Sequence, residues 1–273
     1  MEPSRLIDYT LRRDLESDPR LSLVDARVYG AIAHADPVSC VQICTITGLN
    51  RETVGRSVHR LSETGWIGVE QVVPRTRESR MRFILSAPPH TQKAIAKHID
   101  DFRWRAPRAG EYLMLVWLDL LVVSLSYQNN ARPRFLANPP TGYPLELDRL
   151  YVEDNVALEF NGRQHYEETS LFGAGDELSA RQTRDLAKLA LCKKEGITLV
   201  EVTENDLSYE GMVAKASPHI RVRRIDQRGD VMKTVSRLSS MYRSNCIRAR
   251  NVQKSRAAKA DHPVDENQGP VPD

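Results

Sequence analysis

The chain has 273 residues, 41% of them hydrophobic and 27% charged, with a formal net charge of +3. That is enough for two modest domains with tails, and it excludes fibrous, low-complexity and extreme-charge classes. The N-terminal segment MEPSRLIDYTLRRDL carries charges where a secretory leader needs an apolar run; the most apolar stretch, Tyr112 to Val123, is interrupted by Asp119 and is too short to span a bilayer. The expectation is a cytoplasmic protein with no membrane attachment. Cys40, Cys44, Cys192 and Cys246 lack the paired spacing of a zinc knuckle and read as buried thiols.

Three short helices and a hairpin are expected between Leu21 and Leu85. The first, Ser22 to Ala35, turns Leu23, Ala26, Val28, Ile32 and Ala33 inward, and Pro37 ends it. Val38 to Thr47 forms a second, Gly48-Leu49-Asn50 a turn, and Arg51 to Glu63 a third, capped by Asn50, with Val54, Val58 and Leu61 inward. Its outer side would present Arg51, Glu52, Thr53, Arg56, Ser57 and Arg60, a polar and basic mixture suited to phosphates and base edges. Trp66 to Val69 and Met81 to Leu85 alternate as a hairpin whose tip carries Arg75, Arg77 and Arg80. In helix order, turn and basic tip, residues 1–86 resemble a winged helix-turn-helix domain, which implies double-stranded DNA as partner. A helical scaffold for protein contacts is the alternative.

Ala87-Pro88-Pro89 and the polar residues to 109 read as a linker with one short helix, Thr91 to Phe102. From Gly110 the chain continues as an apolar helix with Glu111 in its first turn. Two strands follow, Leu145 to Tyr151 and Val156 to Asn161, joined by the polar turn Val152-Glu153-Asp154-Asn155. After a loop come a helix, Glu177 to Glu195, stopped by Gly196, and a strand, Ile197 to Val202. Strand periodicity places Glu146, Asp148 and Leu150 on one face, and Ala157, Glu159 and Asn161 on one face of the neighbour.

An acid between Leu158 and Phe160 in mid-sheet is costly unless it has a partner. Two carboxylates ~4 Å apart repel by roughly 4 kcal/mol at an effective dielectric near 20. A divalent cation between Asp148 and Glu159 turns that repulsion into binding, and hard oxygen ligands without a His/Cys cluster select magnesium, or manganese in its place, over zinc.

The stretches GEYL, ARPRFLANPPTG, LELD, ALEFNGRQHY and RQTRDLAKLALCKKEGI, spread over about 100 residues from Gly110 to Leu207, resemble the PD-(D/E)XK nucleases of the very-short-patch-repair and related homing-endonuclease branch. The resemblance implies an α/β fold with a mixed sheet flanked by helices, a restriction-endonuclease-like αβββαβ core, at residues 110–220. It implies Asp148 and Glu159 as metal ligands with the Phe160 carbonyl as a third. Asn161 stands where much of the superfamily has lysine. In the repair branch the lost water-activating role passes to a nearby histidine and the following helix, here Gln164, His165, Asp185 and Lys188, while Glu111 is similar to the branch's helical Glu.

The chemistry of phosphodiester hydrolysis fits these types: a metal for the phosphate, a group for the water and a donor for the leaving oxygen. His165 titrates near neutrality, and an Asp185 hydrogen bond would fix its tautomer. Arg181, Asp185 and Lys188 share one helix face, although a surface ion-pair ladder has the same spacing, and a first-turn Glu111 is also favoured by the helix dipole. Between Arg221 and Lys259 there are 12 Lys/Arg against Asp226 and Asp230, a basic helical arm (221–260) that suits phosphate neutralisation. In it Val231, Val235, Leu238 and Tyr242 make a packing stripe; residues 261–273 read as a disordered tail.

The function expected is a magnesium-dependent endodeoxyribonuclease placed on DNA by its winged helix, the tether raising local concentration. A DNA-binding regulator or replication-type factor with an inactive nuclease fold is the alternative, favoured by Asn161; an RNA-directed nuclease is a third. A homodimer is compatible with either main reading.

Overall fold

The computed structural model describes residues 3–36, 39–71, 81–124, 126–162 and 174–260. Pro37, the hairpin-tip residues Arg75, Arg77 and Arg80, the candidates Gln164 and His165, and the tail 261–273 lie outside the described residues.

Helix α1 (Pro3–Ser17) opens the chain, in a stretch from which the sequence pattern drew no element. Helix α2 (Leu23–Ala35) begins at a reciprocal cap: Asp25 N–H donates to the Ser22 hydroxyl at 3.3 Å, and Ser22 N–H to the Asp25 carboxylate at 2.8 Å. Helix α3 (Cys40–Thr47) ends at Gly48, whose φ of +69° suits glycine. Asn50 caps α4 (Arg51–Glu63) by accepting from Thr53 N–H at 2.8 Å. Strands β1 (Ile67–Gln71) and β2 (Met81–Leu85) pair antiparallel, Ile67 opposite Leu85. Val28, Ile32, Ile43, Val54, Leu61, Trp66 and Phe83 form the core of this part.

Two expectations fail locally. Leu23 is 83% exposed, because it occupies the first helical position beside its cap and not the inner face. Ser57 is fully buried, next to an ion pair that the linear pattern could not show. Arg60 forks onto buried Asp25, Nη2 at 2.7 Å and Nε at 3.1 Å. Burial pushes the Asp25 carboxyl up, but Arg60 and the hydrogen bonds from Ser22 and Ser57 more than offset it and hold it at about 2.

Helix α5 (Pro89–Arg103) leads to α6 (Ala109–Leu121). Strands β3 (Tyr127–Ala131), β4 (Leu147–Tyr151) and β5 (Val156–Phe160), helix α7 (Ala174–Lys194) and strand β6 (Thr198–Val202) follow. The protein is thus a mixed α/β structure, with a four-stranded sheet in the order β3-β4-β5-β6, antiparallel except for the parallel β5–β6 pair. A 3-10 turn (Glu204–Asp206) and α8 (Tyr209–Ala216) precede α9 (Asp230–Ala260).

Val156, Leu158 and Phe160 turn one sheet face toward α6, whose Leu113, Val116, Trp117, Leu118 and Leu121 are fully buried. Leu150 and Ala157 turn the other toward Cys192 of α7. No helix among the described residues is long and apolar enough to cross a membrane. The polar YQNNA of β3 gave no strand signal, since an edge strand can leave its outer positions to water.

The segments read as linker and basic arm are built into the core. Ile95 and Ile99 of α5 and Val231, Met232, Val235 and Leu238 of α9 are buried together in the main cluster, and Trp117 Nε1–H donates to Ser239 Oγ at 3.1 Å. Residues 221–226 join the halves: Leu85 N–H donates to the Arg224 carbonyl at 2.9 Å, and Val123 N–H to that of Arg221 at 3.0 Å. Arg223 caps the end of α6, with Nη2 on the Asp119 carbonyl at 2.6 Å and Nε on that of Leu120 at 3.0 Å, and reaches the Ala33 carbonyl at 3.4 Å.

Arg149 on β4 is 1% exposed and lies on the α6 side of the sheet. Its Nη1 meets Asp119 at 2.7 Å, its Nε donates to Asn129 Oδ1 at 2.6 Å, and its guanidinium lies 4.2 Å from the Tyr127 ring centroid. Burial raises the Asp119 carboxyl to about 6 against the pull of Arg149. An arginine cannot shed its charge, whereas a stranded aspartate can take up a proton. Asp119→Ala is therefore expected to cost about 3–5 kcal/mol and Arg149→Met less; urea denaturation at neutral pH checks the order, and equal losses would refute it.

Candidate active site

The β4–β5 register sets the geometry. Arg149 faces Leu158 and Leu150 faces Ala157, so Asp148 and Glu159 are next in line across the antiparallel pair, on the α7 side. Phe160 N–H donates to Asp148 Oδ2 at 2.7 Å, and Asp148 N–H to Glu159 Oε2 at 3.4 Å. Each carboxylate is thus held by the backbone of the other's strand. Asp148 is buried; burial first, then the charge of Glu159, raises its carboxyl to about 7. Burial likewise raises Glu159, against the pull of Lys188.

Lys188 comes down from α7, and its Nζ meets Glu159 Oε1. Asp185, one turn earlier, is close enough to raise Glu159 further, and Glu111 to raise Asp148. All five line one cleft of about 800 Å³. Arg108 and the first turn of α6 form one wall, with Arg108 Nη1 3.3 Å from Glu111; α7 contributes Arg184, and α9 contributes Tyr242, Asn245 and Cys246. Gly110 is required here, because a Cβ at this position would stand 2.1 Å from the Phe160 ring and 2.7 Å from the Tyr242 hydroxyl.

The sequence-derived candidates Glu111, Asp148, Glu159, Asp185 and Lys188 therefore come together. Phe160 sits beside them, its ring on the opposite face against Tyr242. Asn161 is buried at the end of β5. The side chain of Arg181 lies outside the described part. Arg51 and Arg56 are exposed on α4, Thr53 is half-buried, and Arg60 is engaged by Asp25. Arg108, Arg184, Tyr242 and Asn245 were missed as cleft residues. The stripe ending at Tyr242 points inward and could have flagged α9, while nothing local marks Arg108. Among the described residues no group of three or more His, Cys, Asp or Glu side chains gathers to hold a metal.

No family model matches the chain, and no solved structure matches it. It is similar to "Uncharacterized protein 094L" of Frog virus 3 (isolate Goorha), 41% identical over 86 residues, which is 31% of this chain and 56% of that protein. It is also similar to "Uncharacterized protein 033L" of Invertebrate iridescent virus 3, 40% identical over 73 residues, 26% of this chain and 38% of the relative. "Uncharacterized protein 307L" of Invertebrate iridescent virus 6 is 36% identical over 80 residues, 27% of this chain and 41% of its own length. The chain thus spans about half or less of the curated relatives it matches.

The raised Asp148 carboxyl has a consequence for stability. Between the unfolded value of 3.8 and about 7 the native state binds more protons than the unfolded chain, so this group lowers stability as pH rises through that window. Asp148→Asn removes the ionisation and is expected to stabilise the protein by about 2–4 kcal/mol at pH 8 without divalent cation, and by much less at pH 4. Denaturation at the two pH values measures this, and an equal effect at both would count against it.

Proposed function

We propose that the protein is a magnesium-dependent DNA endonuclease of the PD-(D/E)XK type whose N-terminal part is a winged helix-turn-helix domain. The observation that carries this reading is the meeting of Asp148, Glu159 and Lys188 in one cleft. The order helix, three strands, helix, strand of α6, β3, β4, β5, α7 and β6 supports an αβββαβ core. Asn161 leaves the strand without the usual lysine, but Lys188 brings an ammonium to the second acid from the following helix. That supports an active site over the inactive-fold alternative.

The donor set fits a hard cation. Two oxygen acids side by side, Asp148 buried and Glu159 partly so, both raised first by loss of water, face one ammonium, that of Lys188. Magnesium is commonly held by only one or two carboxylates, with substrate oxygens and water completing its shell, and the Asp148–Glu159 pair offers that number. Asp148 and Glu159 would hold it, with the Phe160 carbonyl beside them. Bound there, it would polarise the scissile phosphate and acidify a water.

The chain's own groups do the rest. Lys188 donates toward charge building on the phosphate, and Asp185 and Glu111 orient water at opposite sides of the cleft. Arg108, Arg184 and the uncapped first turn of α6 suit flanking phosphates. His165 remains the candidate for proton transfer, with Gln164 a candidate to hold the water or phosphate by hydrogen bonds. Double-stranded DNA would lie against α4 through Arg51, Thr53 and Arg56, with Arg75, Arg77 and Arg80 at the hairpin tip.

Purified protein with supercoiled plasmid and magnesium is expected to nick or linearise it. Asp148→Ala should fall to background and Lys188→Ala by about 10²–10⁴-fold; equal conversion by wild type and Asp148→Ala would sink the assignment. In a salt titration of duplex binding, Arg51→Ala and Arg56→Ala should each lower the log–log slope by about one. Unchanged slopes for both would remove α4 from the DNA interface.

A further inference from the structure

A second cavity, of about 580 Å³, lies away from the carboxylate cleft, where α1 and α2 meet α5, the end of α6 and the start of α9. Its volume is in the range of small-molecule sites, about 300–1,000 Å³. Most of its wall is apolar, from Ile7, Leu11, Tyr29, Ile95, Ile225 and Met232.

The charged groups on the wall can be accounted for in turn. Arg12 pairs with Glu16 at 2.8 Å. Asp119 pairs with Arg149 at 2.7 Å. Asp226 accepts from Arg228 N–H at 2.9 Å and from the Ser86 hydroxyl at 3.4 Å. Arg223 donates to the Asp119, Leu120 and Ala33 carbonyls. Among the described residues Asp119 Oδ2, on the inner wall, has no hydrogen-bond partner, and Asp8, exposed to the cavity, has no hydrogen bond or ion pair. His34 stands near it, held toward its neutral form first by burial and then by Arg223.

Asp8 is exposed on an otherwise largely apolar wall, and an accessible carboxylate beside apolar surface suits a ligand that carries both a cationic head and an apolar body. We propose that this cavity binds a small organic amine, its apolar body against Ile7, Leu11, Tyr29 and Ile95 and its ammonium on Asp8. Burial pushes the Asp8 carboxyl up against the pull of Arg223, His34 and Arg149, and an ammonium on it would add to that pull. Neutral His34 can share the ammonium as an acceptor. The walls come from both the N-terminal helices and the α5–α6–α9 bundle, so an occupant braces the junction. This inference stands apart from the nuclease reading and is tested without it.

Calorimetric titration of the full chain compares tryptamine with tryptophol, which replaces the ammonium with a hydroxyl on the same indole body. Tryptamine is expected to bind at least about tenfold more tightly, the usual scale of a charge-assisted hydrogen bond, and Asp8→Asn should erase that preference while still binding tryptophol. Asp8→Asn removes an unpartnered charge and should fold at least as well as wild type. Equal binding of the two compounds, no binding of either, or a preference that survives Asp8→Asn overturns the proposal.

Discussion

The antiparallel register between β4 and β5 is the constraint on which the candidate chemistry depends. Side chains alternate faces, so a slip of one residue would send Asp148 and Glu159 to different sides of the sheet. It would also bring Arg149 out of its pocket and a carboxylate into the apolar layer under α6. The register is therefore secured from both faces. On one, Val156, Leu158 and Phe160 must meet α6; on the other, Leu150 and Ala157 must meet α7.

One strand thus buries opposite charges back to back. Arg149 points toward Asp119, Tyr127 and Tyr151, and its neighbour Asp148 points toward Glu159. The two sides differ in kind. The arginine side is nearly neutralised by its partner and serves as structure, while the carboxylate side retains negative charge beside open volume. The fold tolerates this because backbone N–H groups and Lys188 hold part of that charge. Holding that charge away from water lowers the stability of the fold at this point.

The same economy shapes the junction between the N-terminal helices and the sheet domain. Residues 221–226 hydrogen-bond to Leu85 on one side and to the end of α6 on the other. Arg223 reaches helix-end carbonyls in both parts. The N-terminal part is therefore docked against the rest, where a linker with one short helix was expected, and the placement of α4 relative to the cleft is a property of the fold.

Much of this was legible in the sequence. Periodicity located α2, α4 and α6 and the strands around Asp148 and Glu159, because apolar spacing reports which side of an element meets the core. The isolated acid in VALEF marked the site, because a charge in a buried strand needs a partner. Only the tertiary structure decided who the partners are. Lys188 reaches Glu159 from 29 residues away, Arg60 is drawn to Asp25 from 35, and Asp119 to Arg149 from 30. The polar edge strand β3, helix α1 and the burial of α5 were hidden for the same reason, whereas the stripe of Val231, Val235, Leu238 and Tyr242 marked the packing face of α9. Local pattern encodes what an element is, whereas pairing between distant segments depends on which surfaces the closed chain brings together.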